Sequence, residues 1–162
     1  MLGIVALFLL VLLVHPQPPL LRPGSPAPAV SLRTAAGAQV HAVGAGARGP
    51  VLLEFLETAC VTCQGRAAGL CAVAAAHPSA LVAGVDAGNE SAQQLQAYQA
   101  RYVPADCAMV FLLDPGLSVS RSYEVAVVPT VYVVDRNGNI AYGGIGAQGL
   151  DDASAALRQA GA

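Results

Sequence analysis

Two strand-like runs with a helical segment between them constrain the fold of this chain more than any other feature. The run VLLEFLE at residues 51–57 is apolar apart from two glutamates, a pattern typical of strands buried on both faces of a parallel or mixed sheet. Residues 61–76 follow as an Ala-rich helical segment, which stops at His77 and Pro78 because proline disfavours helical geometry in the preceding residue. The run LVAGVD at residues 81–86 returns as a second strand. Together these segments predict a βαβ unit.

The segments that flank this unit extend the alternation of strands and helices. AVSL and QVHAV, residues 29–32 and 39–43, are separated by a turn that contains glycine, and they predict a small hairpin. Asn89 or Ser91 can cap a second helix. Its apolar stripe at helical spacing, which we assign to the core, consists of Ala92, Leu95, Tyr98 and Tyr102.

The C-terminal third of the chain completes the predicted architecture. Residues 108–114, AMVFLLD, predict a further strand, and TVYVVD and NIAYGGI flank an Asn-Gly hairpin signal at residues 137–138. A last helix is expected from Asp151 or Asp152 to about Gln159. The order β-hairpin, βαβαβ, β-hairpin, α predicts a single α/β domain with a mixed central sheet flanked by helices.

Charge argues against one class of partner. The net charge is −2, all eight basic residues are arginine, and they form no basic cluster in the sequence. Because nucleic-acid-binding proteins carry a basic stripe or patch that contacts phosphates, we expect no nucleic-acid partner.

The N-terminal segment is an apolar run, from Leu2 to Val14, with no basic residue before it. Thirteen helical residues span about 20 Å, less than the roughly 30 Å core of a bilayer. Residues 1–15 are therefore predicted to be a cleaved signal peptide or an N-terminal membrane anchor, and a buried helix is the alternative. Residues 16–28 are Pro-rich and predicted to be a tether outside the fold, with the domain at 29–162.

Export would place the domain outside the cytoplasm, in the periplasm or cell envelope, either membrane-anchored or secreted. Disulfides form and persist in such oxidising compartments. The chain has four cysteines, so their pairing bears directly on function.

Cys60 and Cys63 fall where the buried strand ends and the helix begins. A helix N-terminus carries a partial positive charge and free backbone N–H groups, which favour a thiolate over a thiol. Cys60, at the very start, should have a depressed pKa, while Cys63 lies one turn in and faces the sheet. This asymmetry predicts that Cys60 attacks a partner disulfide and that Cys63 then resolves the mixed disulfide.

Glu54 lies six residues before Cys60 within the apolar strand. A buried acid behind Cys63 would have a raised pKa and could accept the proton that Cys63 loses on resolution. The alternative is that Glu54 faces solvent, because Glu57 follows it at a spacing of three, which does not match strand alternation.

Three stretches, EFLETACVTC, VVPTVYVVDRNGN and GSPAPAVSL, resemble the thioredoxin-like superfamily, and in particular its exported TlpA-type thiol-disulfide oxidoreductases, which have a redoxin domain. The resemblance covers about residues 24–160 and implies a thioredoxin fold with an N-terminal β-hairpin extension. It implies Cys60 as nucleophile, Cys63 as resolving cysteine and Pro129 as the cis-proline facing the disulfide. Val128 would pair its backbone with an incoming peptide, and Glu54 occupies the position of the family's buried acid.

The same resemblance implies no cofactor beyond the cysteine pair. The expected partners are protein disulfides or dithiols, together with a membrane redox partner that recharges the couple. Reduction of extracytoplasmic disulfides, for instance in cytochrome c maturation, and oxidation of new ones both remain open.

Two positions depart from the family pattern. Ala59 and Thr62 stand where the family usually has Trp and Pro, and the chain has no tryptophan at all. Val-Thr between the cysteines is similar to the C-terminal domain of DsbD-type reductant conduits. We therefore expect the partner surface to differ from that of the relatives.

Cys71 and Cys107 have three interpretations. Within one helix, Cys71 lies about 12 Å from Cys63 along the axis, and a disulfide needs Cα atoms within about 7 Å. Cys71 can therefore bond neither Cys60 nor Cys63. A structural disulfide between Cys71 and Cys107, two inert buried thiols, and a regulatory or relay role are all compatible with the sequence.

Three other functions compete with thiol-disulfide exchange. The first is a metal site, most specifically that of a copper carrier, which would need ligands besides the two cysteines. The histidines are scattered along the chain, at His15, His41 and His77, so we predict no metal ligands. A thiol peroxidase of the same fold would have a threonine three residues before its cysteine, whereas Thr58 is two before Cys60. A redox-inert binding module would not need an intact cysteine pair.

Overall fold

A computed structural model describes residues 19–147 and 149–161 of the chain. Seven strands form one sheet: β1 (Val30–Thr34), β2 (Gln39–Val43), β3 (Val51–Leu56), β4 (Leu81–Asp86), β5 (Val110–Leu113), β6 (Thr130–Val134) and β7 (Ile140–Ile145). The helices are α1 (Val61–Ala76), α2 (Ala92–Tyr102), α3 (Ser118–Ser122) and α4 (Gly149–Gln159). None of the helices in these residues is both long and apolar enough to cross a membrane.

The sheet is mixed, with strand order β2-β1-β5-β4-β3-β6-β7. β3 runs parallel to β4 on one side and antiparallel to β6 on the other, and every one of its six residues is buried. A strand with neighbours on both edges and packing on both faces explains the continuous apolar run. The predicted mixed sheet and the N-terminal hairpin of β1 and β2 are confirmed.

The two faces of the sheet carry separate hydrophobic clusters. α1, α2 and α4 cover one face, and the short α3 contributes to the other. Along β3, Leu52 and Leu56 pack on the side of α1, whereas Leu53 and Phe55 join the opposite cluster. Because strand side chains alternate, Glu54 points to the same side as Leu52 and Leu56. A carboxyl group therefore lies in the core beneath α1.

Several boundaries agree with the sequence patterns, and others do not. α1 and β4 cover the predicted residues, and Leu95 and Tyr98 of the apolar stripe are buried. α4 begins at Gly149, earlier than the predicted aspartates. The five-residue α3 was not predicted, because so short a helix shows no periodicity.

The start of α3 is stabilised by a side chain from outside the helix. Asp114 is fully buried and accepts hydrogen bonds from the backbone N–H groups of Val119 at 3.1 Å and Ser120 at 2.7 Å. These contacts satisfy donors that a helix start leaves free.

The prediction of a tether over residues 16–28 is wrong for the part that the structure describes. Gly24 donates to the carbonyl of Ile140 at 2.7 Å, and the backbone N–H of Ile140 donates to Ser25 at 2.8 Å. The Tyr123 hydroxyl donates to the carbonyl of Pro28 at 2.8 Å. The outer edge of β7 offers free backbone donors and acceptors, and this segment satisfies them. The predicted leader at 1–15 lies outside the described residues.

A disulfide joins Cys71 on α1 to Cys107, which lies between α2 and β5, with a Cα–Cα distance of 5.2 Å. Cys71 is buried against the cluster beneath α1, and Cys107 is half-buried. The bond therefore connects the helix that carries the first cysteine pair to the segment leading into β5.

We expect the C71A/C107A variant to lose about 2 to 4 kcal/mol of unfolding free energy, because the bond closes a long loop in the unfolded chain. The two cysteines are 36 residues apart, against 3 for Cys60 and Cys63. Urea denaturation under oxidising conditions measures the loss. C60S/C63S is the matched control and should lose less, and an equal or larger loss there would contradict the expectation.

Candidate active site

The site is built around the first turn of α1. Cys60 is the N-cap of this helix, and its sulfur accepts a hydrogen bond from the backbone N–H of Cys63 at 3.1 Å. The two cysteines form a disulfide with a Cα–Cα distance of 5.2 Å. Cys63 is fully buried, whereas Cys60 is half-buried. Cys60 is thus the more accessible sulfur of the pair, and a helix N-terminus is a position that favours a thiolate.

The loop before Cys60 is held by a neighbouring loop. The backbone N–H of Thr58 donates to Oε1 of Glu90 at 2.5 Å, and the Gln64 side chain donates to the Thr58 carbonyl at 2.8 Å. Glu90 is positioned in turn by Asp86, whose carboxylate accepts the Glu90 backbone N–H at 2.9 Å. This support was missed in the sequence, because Asp86 ends β4 and Glu90 follows that strand, far along the chain from the cysteines.

Asp86 is buried at the end of β4. Burial raises the pKa of its carboxyl to about 6, and hydrogen bonds from the backbone of Gly88 and Glu90 oppose that shift. An acidic residue at the end of a strand is common. The sequence therefore offered no specific signal that Asp86 supports the loop before Cys60.

The Val128–Pro129 peptide bond is cis. Phe55 pairs with Thr130 in the antiparallel register of β3 and β6, so Pro129 lies beside the point where the chain leaves β3 for the cysteines. Cys60 and Val128 also pack against the same hydrophobic cluster. The structure therefore brings the predicted Val128 and Pro129 to the end of the sheet that carries Cys60 and Cys63.

Glu54 is fully buried, so the alternative of a solvent-facing glutamate is wrong. Burial raises the pKa of its carboxyl to about 7, because desolvation outweighs the attraction of the Arg66 guanidinium, which acts in the opposite direction. Nε of Arg66 lies 2.9 Å from Oε2 of Glu54. The contact is an ion pair without hydrogen-bond geometry, and within the described residues neither Glu54 oxygen accepts a hydrogen bond.

Arg66 was not singled out in the sequence, although a lone arginine within an Ala-rich buried helix is a usable signal. It is 7% exposed, one turn after Cys63. Tyr98 was assigned to the core as part of the apolar stripe, and it also reaches the site. Its hydroxyl donates to the carbonyl of Cys63 at 3.0 Å, and burial raises its pKa, so it stays a neutral donor.

Two exposed apolar side chains lie close in sequence to the cysteine pair and to the cis-proline. Among the residues that the structure describes, Val61 at 79% and Val127 at 42% are the large hydrophobic side chains that are exposed. Val61 lies between the two cysteines, and Val127 lies two residues before the cis-proline. Val127 and Val128 also line a groove of about 100 Å³ together with Glu57 and Arg121. These exposed apolar side chains form a candidate contact surface.

The described residues contain no group of three or more His, Cys, Asp or Glu side chains arranged to hold a metal ion. His77 lies with Nε2 3.3 Å from the Ser154 hydroxyl, and His41 lies with Nδ1 3.0 Å from the Ser31 hydroxyl. His15 lies outside the described residues.

We expect the free energy of unfolding to fall as the pH rises from about 4.5 to 7. Glu54 keeps its proton up to about pH 7 in the folded chain but loses it near its ordinary value of 4.5 once unfolded. In that window the folded state binds more protons, so raising the pH destabilises it. Urea denaturation at several pH values measures the slope.

The variants E54Q and D86N distinguish the contributions of Glu54 and Asp86 to the pH dependence of the unfolding free energy. E54Q should flatten the slope between about pH 6 and 7, whereas D86N should flatten it mainly between the ordinary 3.8 and about 6. Equal slopes for the wild type and E54Q above pH 6 would contradict the assignment to Glu54.

Comparison with known proteins agrees with this geometry. A family model described as Redoxin matches residues 22–157. No curated protein matches the chain.

Similar solved structures include MTB DsbF, in its mixed oxidised and reduced forms, at 27% identity and a TM-score of 0.69, covering 81% of this chain and 94% of that chain. A secreted Mycobacterium tuberculosis disulfide oxidoreductase homologous to E. coli DsbE has 19% identity and a TM-score of 0.66, with 80% and 95% covered. StoA from Bacillus subtilis has 18% identity and a TM-score of 0.65, with 83% and 98% covered. These likenesses confirm the thioredoxin-like fold.

Proposed function

The chain belongs to the redoxin family and is a thiol-disulfide oxidoreductase, and we propose that it exchanges disulfides with extracytoplasmic protein partners through Cys60 and Cys63. The observation that carries this proposal is the asymmetry of the pair. Cys60 is half-buried at the helix N-terminus, and Cys63 is fully buried behind it. The attacking sulfur is thus the one that a partner can reach.

Two steps reduce a partner disulfide. The thiolate of Cys60 attacks one partner sulfur, a mixed disulfide forms, and the other partner sulfur leaves with the electron pair of the broken bond. The Cys63 thiol then loses its proton and attacks the Cys60 sulfur. The Cys60–Cys63 disulfide forms, and the partner departs as a dithiol with two electrons gained. The same steps in reverse oxidise a partner, and the reduction potentials of the two couples set the direction.

Glu54 is the proposed acceptor of the Cys63 proton. Its side chain is buried on the α1 side of β3, and Cys63 belongs to the hydrophobic cluster on that same side. A pKa of about 7 lets a carboxyl both accept and release a proton near neutral pH. This location and this pKa support the assignment.

The partner segment docks beside Pro129. Val128 offers its backbone to an extended peptide, which would add as a short strand next to the cysteine pair. Val61 and Val127 then cover the apolar side chains that flank the partner cysteine. A recharging partner in the membrane completes the cycle, and the apolar run at residues 2–14 supports delivery to that location.

We expect C63S to trap a mixed disulfide with a protein substrate, because Cys60 can still attack and no resolving thiol follows. The reduced full chain is incubated with insulin, whose two chains are joined by disulfides, and non-reducing gels show the adduct. C60S should form no such adduct and should lose turnover. An adduct of comparable yield on C60S would contradict the assigned order of attack.

We expect V61S and V127S each to raise KM for a peptide disulfide by about 10-fold, since burying a valine contributes about 1.5 kcal/mol. Stopped-flow kinetics with an apolar peptide disulfide measure the change. Oxidised glutathione is the control substrate, because it is too small to cover both valines, and its rate should stay within about two-fold. An unchanged KM for the peptide would place docking elsewhere.

A further inference from the structure

We propose that Arg66 is a positioning residue for disulfide exchange, which pairs with the carboxyl group of Glu54 beneath the cysteine pair and ties α1 to the loop that supports Pro129. The inference rests on the proposed function, because it assigns a task to Arg66 within the resolving step. Three sets of contacts carry it.

The first is the ion pair itself. Arg66 lies three residues after Cys63, so both side chains leave the same face of α1, the face packed on the sheet. Its Nε is 2.9 Å from Oε2 of Glu54, and the two side chains are 7% and 0% exposed. A buried cation without a neighbouring anion is strongly unfavourable, so each charge depends on the other.

The second is a connection to the cis-proline. A terminal guanidinium nitrogen of Arg66 donates to the carbonyl of Gly146, and the Gly146 N–H donates to the carbonyl of Pro129 at 2.9 Å. Gly146 has a φ of +75°, a conformation that favours glycine. One side chain therefore connects the buried acid, the cysteine-bearing helix and the residue beside the partner site.

The third is the surrounding electrostatics. The charges of Glu54 and Arg66 act on Tyr98 of α2, and that of Arg66 acts on Tyr142 of β7. Glu90 after β4 and Asp152 on α4 act on these two tyrosines, and Cys63 on α1 lies in the same buried cluster as Tyr98. The β4 and β6 residues opposite Glu54 are Gly84 and Val131, which carry no charge. Among the described residues, Arg66 is the cation that lowers the pKa of Glu54 against burial.

Tyr98 connects these charges to the cysteines. Its hydroxyl donates to the carbonyl of Cys63, and the charges of Glu54 and Arg66 act on it in opposite directions. Glu54, Arg66 and Cys63 thus share one buried neighbourhood beneath the first turns of α1.

The resolving step shows what Arg66 does. The Cys63 proton passes to a Glu54 oxygen, the Cys63 sulfur bonds to the Cys60 sulfur, and the partner sulfur leaves with the electron pair of its broken bond and takes a proton from solvent. Glu54 must be a carboxylate before this step. Without the cation, burial alone acts on Glu54, and the acid stays protonated at neutral pH.

The experiment separates the two chemical steps with a chromogenic disulfide. Reduced full chain is mixed with 5,5′-dithiobis(2-nitrobenzoate): Cys60 releases the first thionitrobenzoate, and Cys63 releases the second as it resolves the adduct. The rate of the second release is measured from pH 5 to 9 for the wild type, R66M, R66K and E54Q. R48M, which replaces an exposed arginine after β2, is the matched control.

We expect R66M to move the pH midpoint of the second release upward by at least one unit and to slow it about 10-fold at pH 7. R66K, which keeps the charge, should return the midpoint toward that of the wild type, and E54Q should remove this midpoint. R48M should match the wild type. An R66M midpoint equal to that of the wild type overturns the proposal, as does an R66K midpoint equal to that of R66M.

A second measurement keeps the proposal testable if R66M fails to fold. The carboxyl carbon of Glu54 is followed by NMR in oxidised wild-type chain labelled with ¹³C-glutamate, with the signal assigned from its absence in E54Q. A midpoint near or below 7 supports the ionised acid, and a midpoint above 8 overturns it. Absence of any second release in the wild type would instead refute the proposed exchange function.

Discussion

The complete burial of β3 is the constraint on which the rest of the structure depends. A strand with hydrogen-bonded neighbours on both edges and packed layers on both faces has no route to solvent except at its ends. Its C-terminal end therefore carries the reactive cysteines, and the one acid within it, Glu54, must be accommodated in the core. Arg66 on α1 forms an ion pair with Glu54. The active-site helix therefore takes part in accommodating the buried acid.

The main elements of the fold were predictable because they follow from local patterns. The apolar runs of β3 and β4, the proline after α1 and the Asn-Gly pair before β7 each act within a few residues, and the structure agrees with them. The segment at residues 24–28 was misjudged, because its proline content indicates an extended chain but not the sheet edge against which that chain lies. That edge belongs to β7, more than a hundred residues later.

The residues of the candidate site also divide into those that the local sequence predicts and those that it does not. Cys60, Cys63 and Glu54 are placed by one strand and the helix after it, so their spacing already predicts an ordered pair with an acid behind it. Glu90 comes from the loop after β4, and Arg66 matters only because its helix lies over Glu54. Such contacts depend on how helices and loops pack across the sheet, which no window of the sequence records.

Two disulfides involve α1, and their surroundings differ. The bond at the helix start is placed for disulfide exchange, whereas the bond further along the helix is placed to stabilise the fold. The first pair sits at the helix start, where one sulfur is accessible, while Cys71 is buried two turns further on and bound to Cys107. The second bond, the Arg66 ion pair and the packing of α1 on the sheet do not involve the Cys60–Cys63 bond. The position of α1 on the sheet thus rests on contacts other than the bond at its start, and that position sets the helix N-terminus against Cys60.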